Sequence, residues 1–424
     1  MTPEVKERIE QIRHGIVPKG YEKMSVGIFP RQWNGYRLDQ LLDFKNGINT
    51  DKEKFGRGTK LISVRDILSE RPITYESILG AVDIDEQQRT EFVVEYGDVL
   101  FQRSSENYED AGTSNVYLDQ DNNAVFSGFV IRGKKKADYN PVYFNSLLKC
   151  FYVRKQIMRQ AAGAQHINIG QESLANVCIA LASSAEQNRI AEIITEQDNV
   201  IDLKEKLLTE KQRQKMHLMQ QLLTGKKRLL GFDGEWKRDK LGKLFAERSE
   251  TKCEHLELLA ITGTQGVIPR SQLDLKDNSS EDKSKYLRIC VGDIGYNTMR
   301  MWQGVSAYSN YEGIVSPAYT ILKPNSMINA KYFAYLFKMP DVVFMFYRFS
   351  QGLVDDTRNL KYENFKKISV TYPVDIEEQN SIVAVLEKAD QEIDLMRKSI
   401  EQEKQKKKAL MQLLLTGIVR VTVE

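Results

Sequence analysis

The sequence predicts an α+β protein built as a pseudo-two-fold internal repeat, in which two mixed α/β modules are separated by two long antiparallel coiled-coil helices. Three observations predict this architecture. A long helical segment occurs twice with similar residues at the same spacing, each copy carries a heptad pattern, and the segments preceding the two copies also resemble each other. The chain is therefore expected to be a pseudo-dimer.

The duplicated helical segment is defined by motifs at both of its ends. Gln187-Asn188 and Gln379-Asn380 begin the two copies, and Leu223-Thr224-Gly225 and Leu415-Thr416-Gly417 end them. The same number of residues separates both pairs of motifs, so neither copy contains an insertion, as expected for one continuous helix. Each copy ends at a glycine, the residue that most readily adopts the left-handed conformation after a helix.

Each copy also carries a seam of residues at alternating steps of four and three, which is typical of a coiled coil. The seam is apolar at both ends and polar through part of its second half. Its members are Ile190, Ile194, Gln197, Ile201, Lys204, Leu208, Lys211, Lys215, Leu218 and Leu222, then Ile382, Leu386, Ala389, Ile393, Met396, Ile400, Glu403, Lys407, Leu410 and Leu414. Such seams commonly serve homodimerisation, but two equivalent helices in one chain can also pair antiparallel as a spacer roughly 55 Å long.

The modules that precede the helices repeat more weakly. The similar segments are Tyr36–Leu41 and Trp236–Leu241, Tyr96–Leu100 and Val291–Gly295, and Tyr143-Phe144 and Tyr332-Phe333. The second helix begins after Pro373, and the first copy lacks that proline. The repeat predicts an N-terminal extension over residues 1–29, modules over 30–180 and 230–372, and long-helix segments over 181–229 and 373–424.

The N-terminal extension completes the repeat cyclically. Ile9–Val17 is similar to Met411–Val419, and both segments end in Gly-Ile-Val. The extension is therefore predicted to be a terminal turn of the long-helix segment, placed ahead of the first module as Gly225 precedes the second.

Composition sets weak limits on function. The 424 residues include 61 Lys plus Arg against 58 Asp plus Glu, and the net charge of +3 permits nucleic-acid binding without arguing for it. The scattered cysteines Cys150, Cys178, Cys253 and Cys290 are expected to be free thiols, because a zinc site needs four ligands at closer spacings. The charged N-terminus and the lack of a long apolar run predict a cytoplasmic protein without a membrane span.

Two short motifs could indicate catalysis. Asn140-Pro141-Val142-Tyr143 is similar to the (N/D)PP(Y/F) motif of amino-methyltransferases but lacks its second proline, and Phe55–Gly58 lacks the strand and helix of a cofactor loop. Tyr143 is better interpreted as a core residue at a helix start. No phosphate-binding loop, zinc-protease or serine-hydrolase motif is present, so no catalytic or metal site is predicted.

In their order and duplication, these features resemble the specificity subunit of type I restriction–modification systems over nearly the whole chain. The motifs that carry the resemblance are Gly58–Ile67 (GTKLISVRDI), both Gly-Asp turns, the helix starts at Glu186-Gln187 and Glu378-Gln379, and both Leu-Thr-Gly ends. The second module lacks a clean copy of GTKLISVRDI, which blurs the module boundaries.

The resemblance implies a function that the residues alone do not give. Each module would be a target-recognition domain for one half of a split, asymmetric site in double-stranded DNA, and the paired helices would set the gap. Two methyltransferase (M) subunits would dock on the helices, and restriction (R) subunits would join them. S-adenosylmethionine, ATP and magnesium would belong to those partners, and none would bind this chain.

Candidate DNA-contacting residues follow from the chemistry of base edges and phosphates, which Arg, Lys, Asn, Gln, Ser and Thr recognise. Those in loop-like sequence are Lys45, Asn46, Arg57, Lys60, Arg103, Ser104, Ser105, Gln165, His166 and Asn168 in the first module, and Thr264, Gln265, Asn297, Arg300, Arg348, Gln351 and Arg358 in the second. Arg103 and Arg300 follow the two Gly-Asp turns and are the strongest of these predictions. The alternative for any one cation is a solvated surface position.

Two basic runs lie on or beside the long helices, at Lys226-Lys227-Arg228 and at Lys404–Lys408. A solvated helix face and a contact with DNA or with a methyltransferase subunit are both open interpretations of these runs.

Two other functions remain as alternatives. One is a coiled-coil scaffold whose modules bind proteins, and the other is a DNA methyltransferase in its own right. Strongly salt-dependent DNA binding would exclude the scaffold, and S-adenosylmethionine bound to the isolated chain would favour the methyltransferase.

Overall fold

The computed structural model describes residues 2–49, 51–163, 166–263, 265–273 and 282–422. The chain divides into two compact units, Met1–Lys204 with Ile400–Glu424 and Glu205–Ser399. The first unit therefore contains the first module, the beginning of the first long helix and the end of the second. The second unit contains the second module and the remaining halves of both helices.

Both modules combine short helices with strands. The helices are α1 (Pro3–Arg13), α2 (Val64–Ile67), α3 (Glu86–Glu91), α4 (Pro141–Leu148), α5 (Phe151–Gln160), α6 (Gln171–Ala175), α7 (Ser184–Leu222), α8 (Leu241–Leu244), α9 (Ala330–Leu336), α10 (Pro340–Phe349), α11 (Tyr362–Phe365) and α12 (Ile376–Leu415). Short 3-10 turns occupy Leu38–Gln40, Lys52–Lys54, Arg270–Gln272, Met301–Gln303 and Asp355–Thr357.

The strands of the first unit are β1 (Tyr21–Met24), β2 (Gly27–Pro30), β3 (Asn34–Arg37), β4 (Leu42–Asn46), β5 (Phe55–Ile62), β6 (Ala81–Val82), β7 (Val99–Gln102), β8 (Ser104–Ser105), β9 (Ser114–Val116), β10 (Val125–Phe126), β11 (Val130–Lys135), β12 (Ile167–Asn168) and β13 (Cys178–Leu181). Those of the second are β14 (Trp236–Lys240), β15 (Phe245–Arg248), β16 (Leu259–Thr262), β17 (Gly266–Pro269), β18 (Leu287–Ile289), β19 (Ile294–Asn297), β20 (Ser306–Tyr308), β21 (Gly313–Val315), β22 (Tyr319–Pro324) and β23 (Ser369–Pro373).

The same antiparallel sheet forms the centre of each module. Its strand order is β4-β11-β7-β9 in the first unit and β15-β22-β19-β20 in the second. The strand after each Gly-Asp turn, β7 or β19, lies inside its sheet, and β7 is buried along its whole length. A helix rich in buried aromatic residues, α4 or α9, belongs to the same hydrophobic core. The predicted α+β class and internal repeat are confirmed.

The GTKLISVRDI segment serves the core of the first unit. It forms the end of β5 and all of α2, and Ile62 and Ile67 are fully buried. Ser63 and Asp66 form a reciprocal cap at the start of α2, since the Asp66 carboxylate accepts from both the backbone and the hydroxyl of Ser63 at 2.8 Å. The motif thus fixes a turn between a strand and a short helix.

Backbone hydrogen bonds give the register that relates the two modules. The Leu38 N–H donates to the Val177 carbonyl at 2.9 Å, and the Leu241 N–H donates to the Ile368 carbonyl at 2.8 Å. In both units this bond follows a two-stranded pair, β3 with β13 or β14 with β23. Leu38 and Leu241 are therefore equivalent, and both are fully buried.

This register corrects one of the predicted alignments. Tyr36–Leu41 was matched to Trp236–Leu241 by residue type, but the strand pairing shifts the match by three residues. Trp236 is the equivalent of Trp33, not of Tyr36. The match of residue types was wrong because pairing with a distant strand, not local similarity, sets which leucine is buried.

The two long helices pair antiparallel inside each unit, along the predicted seam. In the first unit Glu403 of α12 accepts hydrogen bonds from Gln197 and Lys204 of α7, both at 2.8 Å. In the second unit Lys215 of α7 pairs with Asp390 of α12. Polar seam residues thus meet across the helix pair, and apolar seam residues such as Ile190, Ile194 and Ile201 are buried.

The duplicated Glu-Gln-Asn motif attaches each module to the start of a long helix. Gln187 accepts from the Asn140 backbone at 3.0 Å, and Gln379 accepts from the Asn329 backbone at 2.8 Å. The side-chain amides of Asn140 and Asn329 donate to the next residue of the motif, Asn188 or Asn380. The motif occurs twice because each module needs the same attachment to the start of its long helix.

The Leu-Thr-Gly ends pack on the equivalent tryptophans. Gly225 has φ +71° and lies against the Trp236 ring, and Gly417 has φ +68° and lies against Pro30 and Trp33. The place that Gly225 occupies in the second unit is thus taken in the first unit by the end of α12.

The N-terminal extension nevertheless forms a helix that ends at a left-handed glycine. Helix α1 is followed by Gly15 with φ +72°, as the repeat predicts. The extension contacts the end of the chain, since Arg8 donates to the Ile418 carbonyl and the Tyr21 hydroxyl donates to the Gly417 carbonyl.

The four cysteines are free thiols, and burial raises the pKa of the Cys150 thiol to about 12. Across the described ranges, no three His, Cys, Asp or Glu side chains are arranged to hold a metal ion. None of the helices in the described part of the chain has the length and apolar character needed to cross a membrane.

Candidate nucleic-acid interface

A buried aspartate shapes the Gly-Asp turn of the first unit. Asp98 is 1% exposed, and its carboxylate accepts from the backbone N–H groups of Glu95 at 3.0 Å and Lys135 at 2.8 Å. Burial raises the pKa of this carboxyl. The turn leads directly into β7, which ends beside Arg103. The Gly-Asp motif therefore positions the loop that carries Arg103 instead of contacting a ligand itself.

Two predicted clusters of the first unit come together at this loop. Ser104-Ser105 forms β8, which pairs antiparallel with Ile167-Asn168 of β12. The Ile169 N–H donates to the Arg103 carbonyl at 3.0 Å and extends the pairing. The predicted residues at 103–105 and 166–168 thus belong to one surface, which long-range strand pairing creates.

A cavity of about 430 Å³ opens at this surface. Three of its lining residues, Ser104, Ser105 and His166, were predicted from the sequence. The lining also includes Val64, Gln102, Glu106, Asn107, Asp110 and Phe129, which the sequence analysis missed. Phe129 is 67% exposed. An aromatic residue directly after the Ser127-Gly128 turn was the signal that could have identified it.

The cavity is unsuited to phosphate and suited to amino groups. Glu106 and Asp110 contribute carboxylates, which repel an anionic backbone. Carboxylate, amide and hydroxyl oxygens accept hydrogen bonds, as the exocyclic amino groups of adenine and cytosine require. Asn107 donates to Asp110 at 3.3 Å, so this part of the lining is already ordered.

The remaining predicted residues of the first unit that the structure describes do not line the cavity. Lys45 forms an ion pair with Glu91 at 2.8 Å, and its ammonium lies 4.7 Å from the centre of the Phe92 ring. Asn46 is exposed at the end of β4. Asn168 lies on β12 with an exposed side chain.

Two further cations of the first unit also have internal partners. Arg57 lies 3.2 Å from Asp83. Lys60 donates to the Ile78 carbonyl and lies over the Tyr75 ring. Gln165 and Thr264, which were also predicted, lie outside the described residues.

The second unit has an equivalent Gly-Asp turn with different partners. Asp293 is 2% exposed and accepts from the Arg248 guanidinium at 2.7 Å and from the Cys290 backbone at 2.8 Å. Strand β19 then ends at Asn297, whose side chain accepts from the Met299 N–H at 2.9 Å. This turn projects Arg300 into solvent.

Arg103 and Arg300 both follow a Gly-Asp turn, but backbone contacts show that they are not equivalent positions. The Ile169 N–H bonds to the Arg103 carbonyl, and the Leu360 N–H bonds to the Thr298 carbonyl at 2.8 Å. Thr298 is therefore the counterpart of Arg103. Arg300 lies two residues further on, in a turn that the first unit does not share, because the chain after β19 enters the 3-10 turn Met301–Gln303.

A loop after α10 lies beside this turn. Arg358 stacks on Tyr347 at 4.1 Å from the ring centre and bonds to Asp355 at 2.9 Å. Trp302 of the 3-10 turn contacts Tyr347 edge-on, with ring centres 6.2 Å apart. Arg348 is exposed at the end of α10. The predicted clusters at 297–300 and 348–358 thus form one aromatic and cationic surface.

Two further residues predicted in the second unit, Gln265 and Gln351, lie in loops. Gln265 lies at the tip of the β16–β17 hairpin. Gln351 closes the loop after α10 through reciprocal backbone bonds with Asn359 at 2.7 and 2.8 Å. Trp302, Phe344 and Tyr347 were missed, although the sequence FMFYRF in α10 has more aromatic residues than one buried helix face can hold.

The methyltransferase-like motif of the first module is a helix cap. Asn140 accepts from the N–H groups of Val142 and Tyr143 at the start of α4. Tyr143 is fully buried, and its hydroxyl accepts from the Ala182 N–H at 3.3 Å. The interpretation of Tyr143 as a core residue is confirmed.

One family of proteins matches most of the chain. It is described as the type I restriction modification DNA specificity domain, and it matches residues 30–211 and 272–405. The chain belongs to this family. The predicted relationship to type I specificity subunits is therefore confirmed, and a type I specificity chain is the non-catalytic DNA-recognition component of its system.

Two relatives come from Methanocaldococcus jannaschii. A protein described as the MjaX type I restriction enzyme specificity subunit is 23% identical over 95% of this specificity chain and 97% of its own length. The MjaVIII type I restriction enzyme specificity subunit is 24% identical over 50% of each chain. The match to the first relative therefore spans both copies of the repeat in this chain.

Solved structures support the fold. The type I S subunit from M. genitalium superposes with a TM-score of 0.50 at 16% identity, covering 90% of this chain and 96% of its own. A chain from a study of complex assembly and conformational transition of the type I R-M system superposes with a TM-score of 0.59 at 14% identity, covering 92% and 99%. At these identities the similarity establishes the fold alone.

Proposed function

We propose that this specificity chain reads a split, asymmetric site in double-stranded DNA, with one half-site recognised by each module. Two methyltransferase subunits dock on its helices, and restriction subunits join through them. The observation that carries the proposal is that two modules with the same framework present unlike surfaces at the same place. Equal frameworks suit two halves of one target, and unlike surfaces suit different sequences in those halves.

The shared framework is specific. Both sheets have the same strand order, both modules bind a Glu-Gln-Asn helix start, and both pack a Leu-Thr-Gly end on a tryptophan. Equivalent attachments at both ends of the helices also provide two similar docking places for two copies of one partner.

The two surfaces differ in the chemistry that they offer to DNA. The first module presents the acceptor-rich cavity with Ser104, Ser105 and His166. The second presents Arg300 and Arg348 beside the aromatic side chains Trp302, Phe344 and Tyr347, which contact one another. Hydroxyls, imidazole and carboxylates select among base edges, and arginine recognises guanine or phosphate. The first half-site is therefore expected to expose amino groups in the cavity, and the second to be bound more electrostatically.

The test is DNA methylation by this chain co-expressed with candidate methyltransferase subunits, mapped by single-molecule sequencing. We expect modified adenines at a split motif. Replacing residues 30–180 with the corresponding module of a relative should change one half of the motif and leave the other unchanged.

A stable complex that methylates no DNA would contradict the proposal and favour a protein-binding scaffold. S-adenosylmethionine bound to the isolated chain would favour the methyltransferase alternative. As a matched control, the Lys45→Gln variant should leave the motif intact, because Lys45 is already paired with Glu91.

A further inference from the structure

The loop after α10 carries two of the most exposed apolar side chains of the second unit. Leu353 is 99% exposed and Val354 is 59% exposed. We call this pair the apolar tip. Exposed apolar side chains are common one at a time, but an adjacent pair at the end of a projecting loop indicates an interaction site.

The apolar tip is held in a defined shape. Below it, Gln351 and Asn359 exchange backbone hydrogen bonds at 2.8 and 2.7 Å. Beyond it, the Thr357 hydroxyl donates to the Val354 carbonyl at 2.9 Å. Gly352 has φ +137°, and a Cβ there would lie 2.6 Å from the Thr357 carbonyl oxygen, so glycine is required. The loop is thus ordered before any partner binds, which lowers the entropy cost of binding.

Charge around the apolar tip favours a polyanionic partner. Helix α10 has Asp341 in its first turn and Arg348 in its last, so its cationic end adjoins the loop. Within the loop, Arg358 pairs with Asp355, and the two exposed cations Arg300 and Arg348 outnumber the one further acidic residue of the loop sequence, Asp356. The Leu360 N–H joins the loop to Thr298, at the start of the turn that exposes Arg300.

We infer that Leu353 and Val354 form a wedge that enters between base pairs of the second half-site, while Arg348 and Arg300 contact the adjacent phosphates. Apolar side chains that enter a base step unstack it and kink the duplex, and flanking cations hold the backbone on either side. This inference rests on the proposed function and specifies how one module acts.

The wedge belongs to one module only. The loop of the first unit that occupies the equivalent place is closed by the Ala162 and Asn168 bridge and includes Gly163 and His166. Its described residues contain no large apolar side chain between the two bridge positions except Ile167, which is buried. A wedge from this loop is therefore expected in the second half-site and not in the first.

The experiment uses the complex of the full chain with its methyltransferase subunits and duplexes that carry the fluorescent base 2-aminopurine at successive positions of the split site. Apart from the methylated adenines, which the methyltransferase subunits extrude from the stack, fluorescence should rise at one step of the second half-site, where a base loses its stacking partner. The L353A/V354A double variant should abolish that rise and weaken binding about tenfold, because the variant loses the apolar contacts that offset the cost of unstacking.

Salt dependence separates the wedge from the cations. The L353A/V354A variant should keep the slope of log affinity against log salt, whereas Arg348→Gln should lower that slope by about one phosphate contact. Leu353→Met should restore binding in the presence of Val354, because methionine also fills an apolar gap. Leu230→Ala, at a fully exposed leucine after α7, is the matched control and should change nothing.

Four results would overturn the inference. No fluorescence rise in the second half-site, or unchanged affinity of the double variant, would exclude a wedge while leaving DNA recognition intact. Loss of methyltransferase subunits from the double variant in gel filtration would assign the apolar tip to a protein partner. A wild-type complex that binds no split site would remove the proposed function and the wedge together.

Discussion

The guanidinium of Arg228 donates to both carboxylate oxygens of Glu378, at 2.5 and 2.7 Å, and joins the end of α7 to the start of α12 within the second unit. Glu378 is 1% exposed. Arg420 makes the equivalent contact with Glu186 in the first unit at 2.6 Å. The basic run Lys226-Lys227-Arg228 therefore contributes at least one residue to an internal ion pair and not to a solvated face or a partner contact.

The two pairs differ in one contact. Glu186 also accepts from the Trp33 indole at 3.0 Å, whereas the Trp236 indole N–H has no hydrogen-bond partner among the described residues. Glu378 therefore depends more heavily on its arginine. Both units therefore keep the ion pair, but in the described residues only the glutamate of the first unit also accepts a tryptophan hydrogen bond.

This asymmetry predicts unequal costs of removing the two arginines. Arg228→Met should lower the free energy of unfolding by about 3 kcal/mol, because it leaves a buried carboxylate without its cation. Arg420→Met should cost roughly half as much, since the Trp33 indole still bonds to Glu186. Urea denaturation followed by tryptophan fluorescence measures both.

A surface pair provides the control for these variants. Arg397 pairs with Asp394 and is 57% exposed, so Arg397→Met should change the free energy of unfolding by less than about 0.5 kcal/mol. Equal losses for Arg228→Met and Arg420→Met would show that the Trp33 contact carries no weight.

Three helix-ending glycines predict a graded series of alanine variants. Gly15, Gly225 and Gly417 share φ near +70°, so each substitution carries a similar backbone penalty of about 1 kcal/mol. A Cβ at Gly15 meets nothing, at Gly225 it lies 3.3 Å from the Trp236 ring, and at Gly417 it lies 2.6 Å from Pro30. We expect the loss of stability to rise in that order, with about 1–3 kcal/mol more at Gly417.

Thermal denaturation of the three alanine variants tests this order. If Gly15→Ala and Gly417→Ala lose the same stability, the steric contacts of the added Cβ with Pro30 and Trp33 contribute nothing. The positive φ alone would then determine the cost.

The polar part of the helix seam predicts a dependence of stability on acid. Hydrogen bonds from Lys204 and Gln197 lower the pKa of the Glu403 carboxyl to about 2. The folded-state pKa lies below the ordinary value of 4.5. The Glu403 carboxylate therefore contributes its full stabilisation of the fold above about pH 4.5, and this contribution is lost as the pH falls towards 2. Glu403→Gln should therefore flatten the decline in melting temperature between pH 4.5 and 2.

An exposed glutamate is the comparison for this titration. Glu401→Gln, on the same helix, should keep the wild-type decline because its side chain is exposed and lies off the seam. The prediction fails if Glu403→Gln and the wild type lose stability in parallel over that range.

The cavity of the first unit predicts a change confined to one half-site. His166→Ala and Asn107→Ala should each relax base selection in the first half of the methylated motif, by about 1–3 kcal/mol for a lost base-edge contact. The second half should be unaffected. Motif mapping of the variant complexes measures this directly, and relaxation of both halves would mean that the cavity does not read bases.

Local pattern determined much of this protein from the sequence alone. The heptad seam, the Leu-Thr-Gly ends and the duplicated order of elements depend on residues close together in the chain, where periodicity reports which face is buried. The seam even marked Lys215 and Glu403, because a polar residue at a seam position must find a partner on the facing helix.

Only the tertiary structure decided what depends on distant strands. Pairing of β3 with β13 and of β14 with β23 made Trp33, not Tyr36, the equivalent of Trp236 in the repeat. The end of α12 took the place beside Trp33. Pairing of β8 with β12 assembled the cavity, and pairing of β7 with β11 brought Phe129 to it. Residue type fixes local conformation, but long-range pairing chooses the register, and the register decides which side chains share a surface.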